Sequence, residues 1–417
     1  MTRMDLAAVW TLTCASTLAM ASEPLLEKQT LFSAEAGGYA AYRIPALLAT
    51  PRGSLLAVCE ARKSRGDWAA IDILLRRSTD GGHTWSDVVL MSHTPGPHRK
   101  NPAALKQKLA DPNVVTNNNP LLIADHQTGE VHLLFCQEYL RCFYCSSDDD
   151  GVTFSRPVEI TAAFEPFHKW YDWNVLATGP GHGIQLKNGR LLVPVWLSTG
   201  KGGHAHRPSV VTTLYSDNHG ASWLCGERVA NEVDPLVNPS ESVAVQLADG
   251  RVLINLRSEA LAHRRGVSLS ADGATGWTKP SFDEQLLEPI CMASLCRVSE
   301  ATSGGRNRIV FSNPHNLDKA KGQAEPGKSR DRKNLSVKLS YDEANTWPIS
   351  QTLEAGASGY SDLAVARDGM IYCLYERPGV SPEPIGPSLV LAKFNLEWLT
   401  GGKDSFPKAT VPAAASN

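Results

Sequence analysis

The chain has no surplus of charge of either sign. Its 41 Lys and Arg against 43 Asp and Glu leave a formal net charge of −2 over 417 residues. That balance supplies no electrostatic footprint for a nucleic acid or an anionic membrane surface. Long apolar runs are missing too: beyond the N-terminal segment nothing reaches the ~20 apolar residues that span a bilayer. Sets of metal ligands are incomplete. Cys142-Phe143-Tyr144-Cys145 has the spacing of half a zinc site, but no second CxxC and no paired His lies nearby, so neither a metal nor a cofactor is expected. Long amphipathic helical patterns are also hard to find.

What is present is a run of short strand-like segments separated by Gly, Asn, Asp and Pro turns: Ser54 to Cys59, Ile71 to Arg76, Val131 to Cys136, Arg190 to Trp196, Val243 to Leu247, Arg251 to Leu256, Arg308 to Phe311 and Met370 to Tyr375. A composition 42% hydrophobic and 20% charged suits a folded globular chain. At the N-terminus Arg3 precedes an apolar stretch, Leu6 to Leu18, followed by Ala19-Met20-Ala21. That pattern predicts a secretory signal peptide over 1–21, cleaved after Ala21, and an extracytoplasmic mature protein. Of nine cysteines, the eight beyond it could pair after export, but several sit in apolar strands and read as buried small hydrophobes. Residues 22–407 are expected to form one domain, with a disordered tail over 408–417.

One short pattern recurs five times. It runs Ser78-Thr79-Asp80-Gly81-Gly82-His83-Thr84-Trp85 in its cleanest copy and Ser147 to Phe154 in the second. The third, Ser216 to Trp223, has Asn218 for the Asp and Ser222 for the Thr, while the fourth and fifth, beginning at Ser270 and Ser340, place Ala274 and Ala344 where Gly is expected. The first serines lie 69, 69, 54 and 70 residues apart, which marks one repeated supersecondary unit. Asp and Gly favour a tight turn, and Thr and Trp then start a strand with the ring packed beneath it. The period fits four-stranded blades and predicts an all-β, six-bladed β-propeller of antiparallel sheets. Five blades carry the pattern; the sixth, from about Ile349, lacks it and is expected to be closed by the N-terminal strand. Two polar interruptions, Thr94 to Ala110 and His315 to Asp331, read as solvated loops or as lips over the central cavity.

These turns resemble the Asp-boxes of sialidases and of some other propellers. Tyr42-Arg43-Ile44-Pro45 resembles the RIP signature of bacterial-type exo-α-sialidases, and Glu60-Ala61-Arg62 the E-x-R that follows it. The segments Ala177 to Leu186 and Gly189 to Pro194 are similar to further motifs of that family. The resemblance spans about Leu31 to Phe394 and implies an enzyme that removes terminal sialic acid from glycoproteins, glycolipids or oligosaccharides. It implies an arginine triad for the sugar carboxylate, Arg43, Arg257 and Arg332, with Arg330 as the alternative for the third place; guanidinium forks match a carboxylate. It implies Tyr360 as nucleophile, Glu241 as its base and Asp67 as acid/base, with Asp72 as a competitor that reads as an outward strand residue. Glu376 would brace the first arginine, and Arg62 would contact the substrate or the acid loop. A neutral phenol avoids the repulsion of ~4 kcal/mol that an anionic nucleophile would meet 4 Å from the substrate carboxylate at an effective dielectric near 20.

Two departures from the family pattern, Asn174 beside Trp173 and the asparagine run from Thr116 to Pro120, fall where the arms of the sugar would be held. His182, His204 and His206 read as loop residues, either in reach of the substrate or, most simply, solvent-exposed. Two other functions share the scaffold: a trans-sialidase that passes the sugar to another glycan, and a non-catalytic sialoglycan-binding propeller, which would be expected to lack Tyr360, Glu241 or Asp67.

Overall fold

The computed structural model describes residues 23–34, 38–201, 205–231, 235–301, 305–318, 331–378 and 387–406. The expected signal segment, the tail from 408, Arg330 and His204 lie outside them. Six antiparallel sheets follow one another along the chain. Blade one is Ala41–Ala49, Leu55–Arg62, Ile71–Ser78 and Val89–Leu90. Blade two is Asn117–Ala124, Val131–Gln137, Arg141–Ser147 and Val158–Glu159, with Gly181–His182 added in parallel to its innermost strand. Blade three is Val175–Thr178, Leu191–Ser198, Ser209–Ser216 and Leu224–Cys225, with Ile184–Gln185 paired to its second strand. Blade four is Ser242–Gln246, Val252–Leu256, Arg264–Ser270 and Ser281–Leu287. Blade five is Ser294–Ser299, Arg308–Pro314, Lys333–Ser340 and Ile349–Ala357. Blade six takes Ser361–Val365, Ile371–Arg377 and Ser388–Phe394, and is completed by Leu26–Phe32 from the N-terminal side.

The innermost strands pack side by side into a ring, Ala41–Ala49 touching both Asn117–Ala124 and Ser361–Val365. The chain is therefore a six-bladed β-propeller, closed as expected by an N-terminal strand. The expected start of blade six at Ile349 is wrong: Ile349–Ala357 is the outer strand of blade five, in register with Lys333–Ser340. Helix is confined to three short pieces among the described residues, and no helix there is long and apolar enough to cross a membrane.

Apolar cores fill the wedges between neighbouring blades. Leu56, Val58 and Leu75 meet Leu122, Leu133 and Phe135 between blades one and two; Val243 and Leu253 meet Leu295 and Phe311 between four and five. Strand alternation decides which wedge a side chain enters. It also separates the CxxC pair: Cys142 faces the core between blades two and three, and Cys145 the core between one and two. The two thiols point to opposite faces and cannot chelate one ion together. All eight described cysteines are free thiols.

Each Asp-box joins the third and outer strands of its blade. In the first, Asp80 accepts from the Thr84 amide at 2.9 Å and its hydroxyl at 2.6 Å, while Ser78 Oγ accepts from Gly82 N at 2.9 Å. These bonds hold the Asp80 carboxyl well below its usual range. The third box reverses one donor: Asn218 Nδ2 donates to Ser222 Oγ at 2.9 Å. The fourth turns one residue early, with Gly273 rather than Ala274 at positive φ (+74°) and Thr275 bonded to Asp272. In the fifth, Ala344 adopts φ of +63° itself, a conformation that costs an L-residue ~1 kcal/mol.

The boxes also act between blades, each reaching back to the blade before it. Asp150 of the second box accepts from Thr50 Oγ1, Ser54 Oγ and Arg77 Nη2 of blade one at 2.5, 2.6 and 2.6 Å. His219 meets Asp125 at 2.6 Å, Asp272 O accepts from Arg190 at 3.0 Å, and Glu343 accepts from Ala248 N at 2.6 Å. Around the closure, the carbonyls of Gly81 and Gly82 accept from Tyr372 and Gln29 of blade six. Blade six has no box, and Asp404 fills that place, gripping Arg308 of blade five at 2.6 and 2.7 Å. A Cβ on Gly151 (φ +79°) would lie 2.7 Å from both δ-carbons of Leu56. Gly151→Ala is expected to destabilise the fold by ~1–3 kcal/mol, read as a lower urea midpoint.

Candidate active site

In a meander, the start of the first strand, the end of the second and the start of the third all emerge at one mouth. That rule gathers the candidate residues. Arg43 lies near the start of Ala41–Ala49, and Glu241 and Tyr360 immediately precede Ser242–Gln246 and Ser361–Val365. Arg257 follows Val252–Leu256, Arg332 precedes Lys333–Ser340, and Asp67 sits in the loop after Leu55–Arg62. All six, with Arg62, line one cavity. Asp72 does not; it accepts from Tyr39 Oη at 2.7 Å.

Tyr360 stands at the centre. Its hydroxyl donates to Glu241 Oε1 at 2.6 Å and accepts from Arg257 Nη1 at 2.8 Å, and Arg257 also pairs with the other Glu241 oxygen. The guanidinium carbons of Arg43 and Arg332 lie 5.1 and 4.9 Å from the centre of the same ring. Burial alone would raise the Glu241 carboxyl, but Arg257, the Tyr360 hydrogen bond and Arg332 bring it below its ordinary value. Burial raises the Tyr360 phenol well above its ordinary range, against the lowering pull of Arg257. The pair is thus a neutral phenol donating to a carboxylate.

Glu376 lies behind the first arginine and fixes three groups. Its Oε1 accepts from Arg43 Nε at 3.0 Å and from Ile44 N at 3.1 Å, and its Oε2 from Tyr360 N at 3.3 Å. Ile44 takes φ of +55°, costly for a β-branched residue, and there the register breaks between Arg43 and Ala46. Arg332 is held by the Ile290 carbonyl at 2.6 and 3.2 Å, and Ile290 is also left-handed, at +59°. Strain at the rim thus accompanies two of the three arginines.

Asp67, its side chain 49% exposed at the mouth, accepts from Arg62 Nη1 at 2.8 Å and lies 3.6 Å from Arg43 Nη1. Partial desolvation at the mouth opposes ionisation, but those two guanidiniums hold the carboxyl far below its ordinary value. Arg62 therefore contacts the Asp67 loop while also lining the cavity. Its own brace is the buried Glu60, at 2.8 and 2.5 Å, whose other oxygen accepts from Asn119 N at 2.8 Å.

The residues around this cavity match known proteins across most of the chain. Residues 87–373 match the BNR repeat-like domain. The chain is 30% identical over 433 residues to a sialidase of Micromonospora viridifaciens, covering 95% of this chain and 59% of that protein. It is 30% identical over 387 residues to mouse sialidase-2, covering 86% of this chain and 93% of the mouse protein. The chain belongs to the sialidase family. Among solved structures, a Hadza microbial sialidase superposes with a TM-score of 0.69 at 25% identity, over 88% of this chain and 68% of that one.

Several walls of this sialidase-family cavity had no local sequence signal. His206 is not solvent-exposed but lines the cavity, half-buried among aromatic rings, with centroids 4.7 Å from Tyr139, 5.3 Å from Trp196 and 5.6 Å from Trp68. Tyr139 reaches that position from a three-residue hairpin loop in which the first two residues, Glu138 (+58°) and Tyr139 (+46°), are both left-handed. Left-handed positions favour Asn and Gly, so Glu-Tyr gives no hint. On the other side, Arg207 pairs with Glu259, which also accepts from Asn238 Nδ2 at 2.8 Å. Asn119 lines the cavity, but Asn174 does not: its amide donates to Thr199 O at 3.1 Å. His182 is not on a loop but buried in the short strand Gly181–His182, remote from this mouth. The Thr94–Ala110 segment forms no lip. It lies against blades two and three, Asn101 donating to the carbonyls of Tyr139 and Asn174.

Gly359 leaves no room for a side chain: a Cβ there would overlap Glu376 Oε2 and lie 3.1 Å from its Cβ. Gly359→Ala is expected to displace Glu376 and loosen Arg43. For the sialoside hydrolysis proposed below, KM should rise about tenfold with a smaller change in kcat, since a clamp on the sugar carboxylate would act in ground and transition states alike.

Proposed function

We propose that the protein is an exo-α-sialidase, hydrolysing terminal α-linked sialic acid from glycoconjugates with retention. The observation that carries the proposal is the 2.6 Å bond from Tyr360 Oη to Glu241, surrounded by Arg43, Arg257 and Arg332. Three fixed cations around one apolar ring suit a sugar whose anomeric carbon bears a carboxylate. The sugar carboxylate that they would hold repels a second carboxylate and so favours a neutral nucleophile with an adjacent base.

In the first step Tyr360 Oη attacks the anomeric carbon as its proton passes to Glu241. The glycosidic C–O bond breaks, and the leaving oxygen takes a proton from Asp67. In the second, Asp67 removes a proton from water, the water oxygen attacks the anomeric carbon, and the tyrosine oxygen leaves and recovers its proton from Glu241. Asp67 must be protonated for the first step, yet two arginines keep it ionised in the free protein. Substrate binding supplies the correction: a carboxylate on Arg43 offsets one of those cations and raises Asp67 towards protonation. A binding-only propeller has no need of a base on Tyr360.

The test is release of a fluorophore from a sialic acid α-glycoside, with the first-formed anomer read by proton NMR. Release of α-anomer is expected. No release from any nonulosonic acid glycoside would refute hydrolysis, and first-formed β-anomer would refute retention. Export with cleavage after Ala21 belongs to the same proposal, and N-terminal sequencing of the secreted protein would show Ser22 first.

A further inference from the structure

At the far end of the ring a second cleft opens among the later residues of the inner strands, lined by Leu47, Ala244, Leu295, Leu363, His182 and Cys296. It shares no lining residue with the arginine cavity. Inside it, side chains from three blades meet in a line. Asp362 is fully buried and accepts from Leu47 N and Ser294 Oγ, both at 2.8 Å. Its Oδ1 also lies 2.7 Å from His182 Nδ1. A carboxylate only accepts, so the Nδ1 proton faces Asp362 and the Nε2 lone pair faces outwards. That nitrogen is 3.3 Å from Cys296 Sγ. The Leu363 carbonyl, 3.2 Å from the sulfur, competes with that nitrogen for the single thiol proton. Cys296 is partly exposed in the cleft, unlike six of the other described cysteines.

The approach of these groups is built into the backbone. Gly181, beside His182, has φ of +102°, and a Cβ there would come 3.0 Å from Asp362 Oδ1 and 2.7 Å from Met292 Cε. A carboxylate that orients an imidazole against a sulfur is the arrangement that turns a thiol into a nucleophile.

We propose that Cys296 is a nucleophilic thiol, held as a thiolate–imidazolium pair with His182, that undergoes exchange with small-molecule disulfides at this distal mouth. The Cys296 sulfur attacks one sulfur of the disulfide. A Cys296–sulfur bond forms as the original S–S bond breaks, and the departing thiolate takes the proton from His182 to leave as a thiol. One disulfide is consumed and one formed, so no further oxidant is needed. The rim charges are paired, Lys187 with Glu300 and Arg297 with Glu343, and His126 completes the ionisable groups there. The cleft therefore favours a neutral partner, and the probe is dithiodipyridine.

The experiment follows modification of the Cys296 peptide in the intact protein by mass spectrometry between pH 6 and pH 8. An ordinary thiol reacts through its thiolate, so its rate climbs about 100-fold over that interval. Cys296 is expected to change by less than about fivefold, and at pH 6 to outpace free cysteine by about tenfold or more. His182→Gln should restore the ordinary slope, while Cys296→Ser should leave sialoside hydrolysis unchanged. A 100-fold climb in the wild-type protein, or no modification of Cys296, overturns the proposal. The wild-type slope decides even where the His182 variant does not fold.

Discussion

Tyr360→Phe is expected to lower kcat for any sialic acid glycoside by a factor on the order of 10⁴, with KM changed far less. The substitution removes one oxygen, the one proposed to bond the anomeric carbon, and leaves the ring against which Arg43 and Arg332 lie. Loss of a nucleophile costs several powers of ten because its partners act as a unit with it. The variant also leaves Glu241 bonded to Arg257, so the arginines remain ordered and substrate still binds. The measurement is steady-state kinetics with tight-binding titration to exclude wild-type contamination. Turnover within tenfold of wild type would remove Tyr360 from the mechanism.

Asp67→Asn should separate substrates by leaving group. For a glycoside whose leaving sugar needs a proton, kcat/KM is expected to fall by about 10²–10⁴-fold, the usual weight of a general acid. For an aryl glycoside with an acidic phenol the first step needs no such help, and the fall should be much smaller. The pH sign follows from the same residue. As the proposed acid, Asp67 would work protonated, so its contribution is present below its pKa in the complex and is lost as pH rises through it. Turnover of natural sialosides should therefore decline towards alkaline pH in the wild type, with that decline absent in Asp67→Asn. An equal loss on both substrate types would place Asp67 in binding.

The ring was legible because its turns are local chemistry. Ser, Asp, Gly and Thr within eight residues write out their own hydrogen bonds, and the spacing of five such turns counts blades. The boundary at Ile349 was misplaced because the outer strand Ile349–Ala357 is largely exposed and carries no alternation to tie it to blade five. The inward residues were legible where a short motif carried them, as at Arg43 and Glu60-Ala61-Arg62. The arginine at 332 lines the cavity, beside a segment outside the described residues. The aromatic wall was not legible: Trp68, Tyr139, Trp196 and His206 come from separate loops and strands, and only closure of the ring brings them together. His182 was hidden by the glycines around it, which read as loop yet form a parallel pairing with blade two.

The backward reach of the box turns gives the ring a direction. A box turn grips the blade made before it, so on a chain made from its N-terminus each later box finds its partners already in place. The first turn, at Ser78 to Trp85, has to wait: its partners Tyr372 and Gln29 stand on blade six, whose own sheet needs the first strand of all. The earliest-made corner is thus among the last completed. Closing so long a loop carries its entropy cost before any of those contacts form, and Tyr360 and Glu376 sit on the blade that closes it. Competence for chemistry arrives with the last join of the circle.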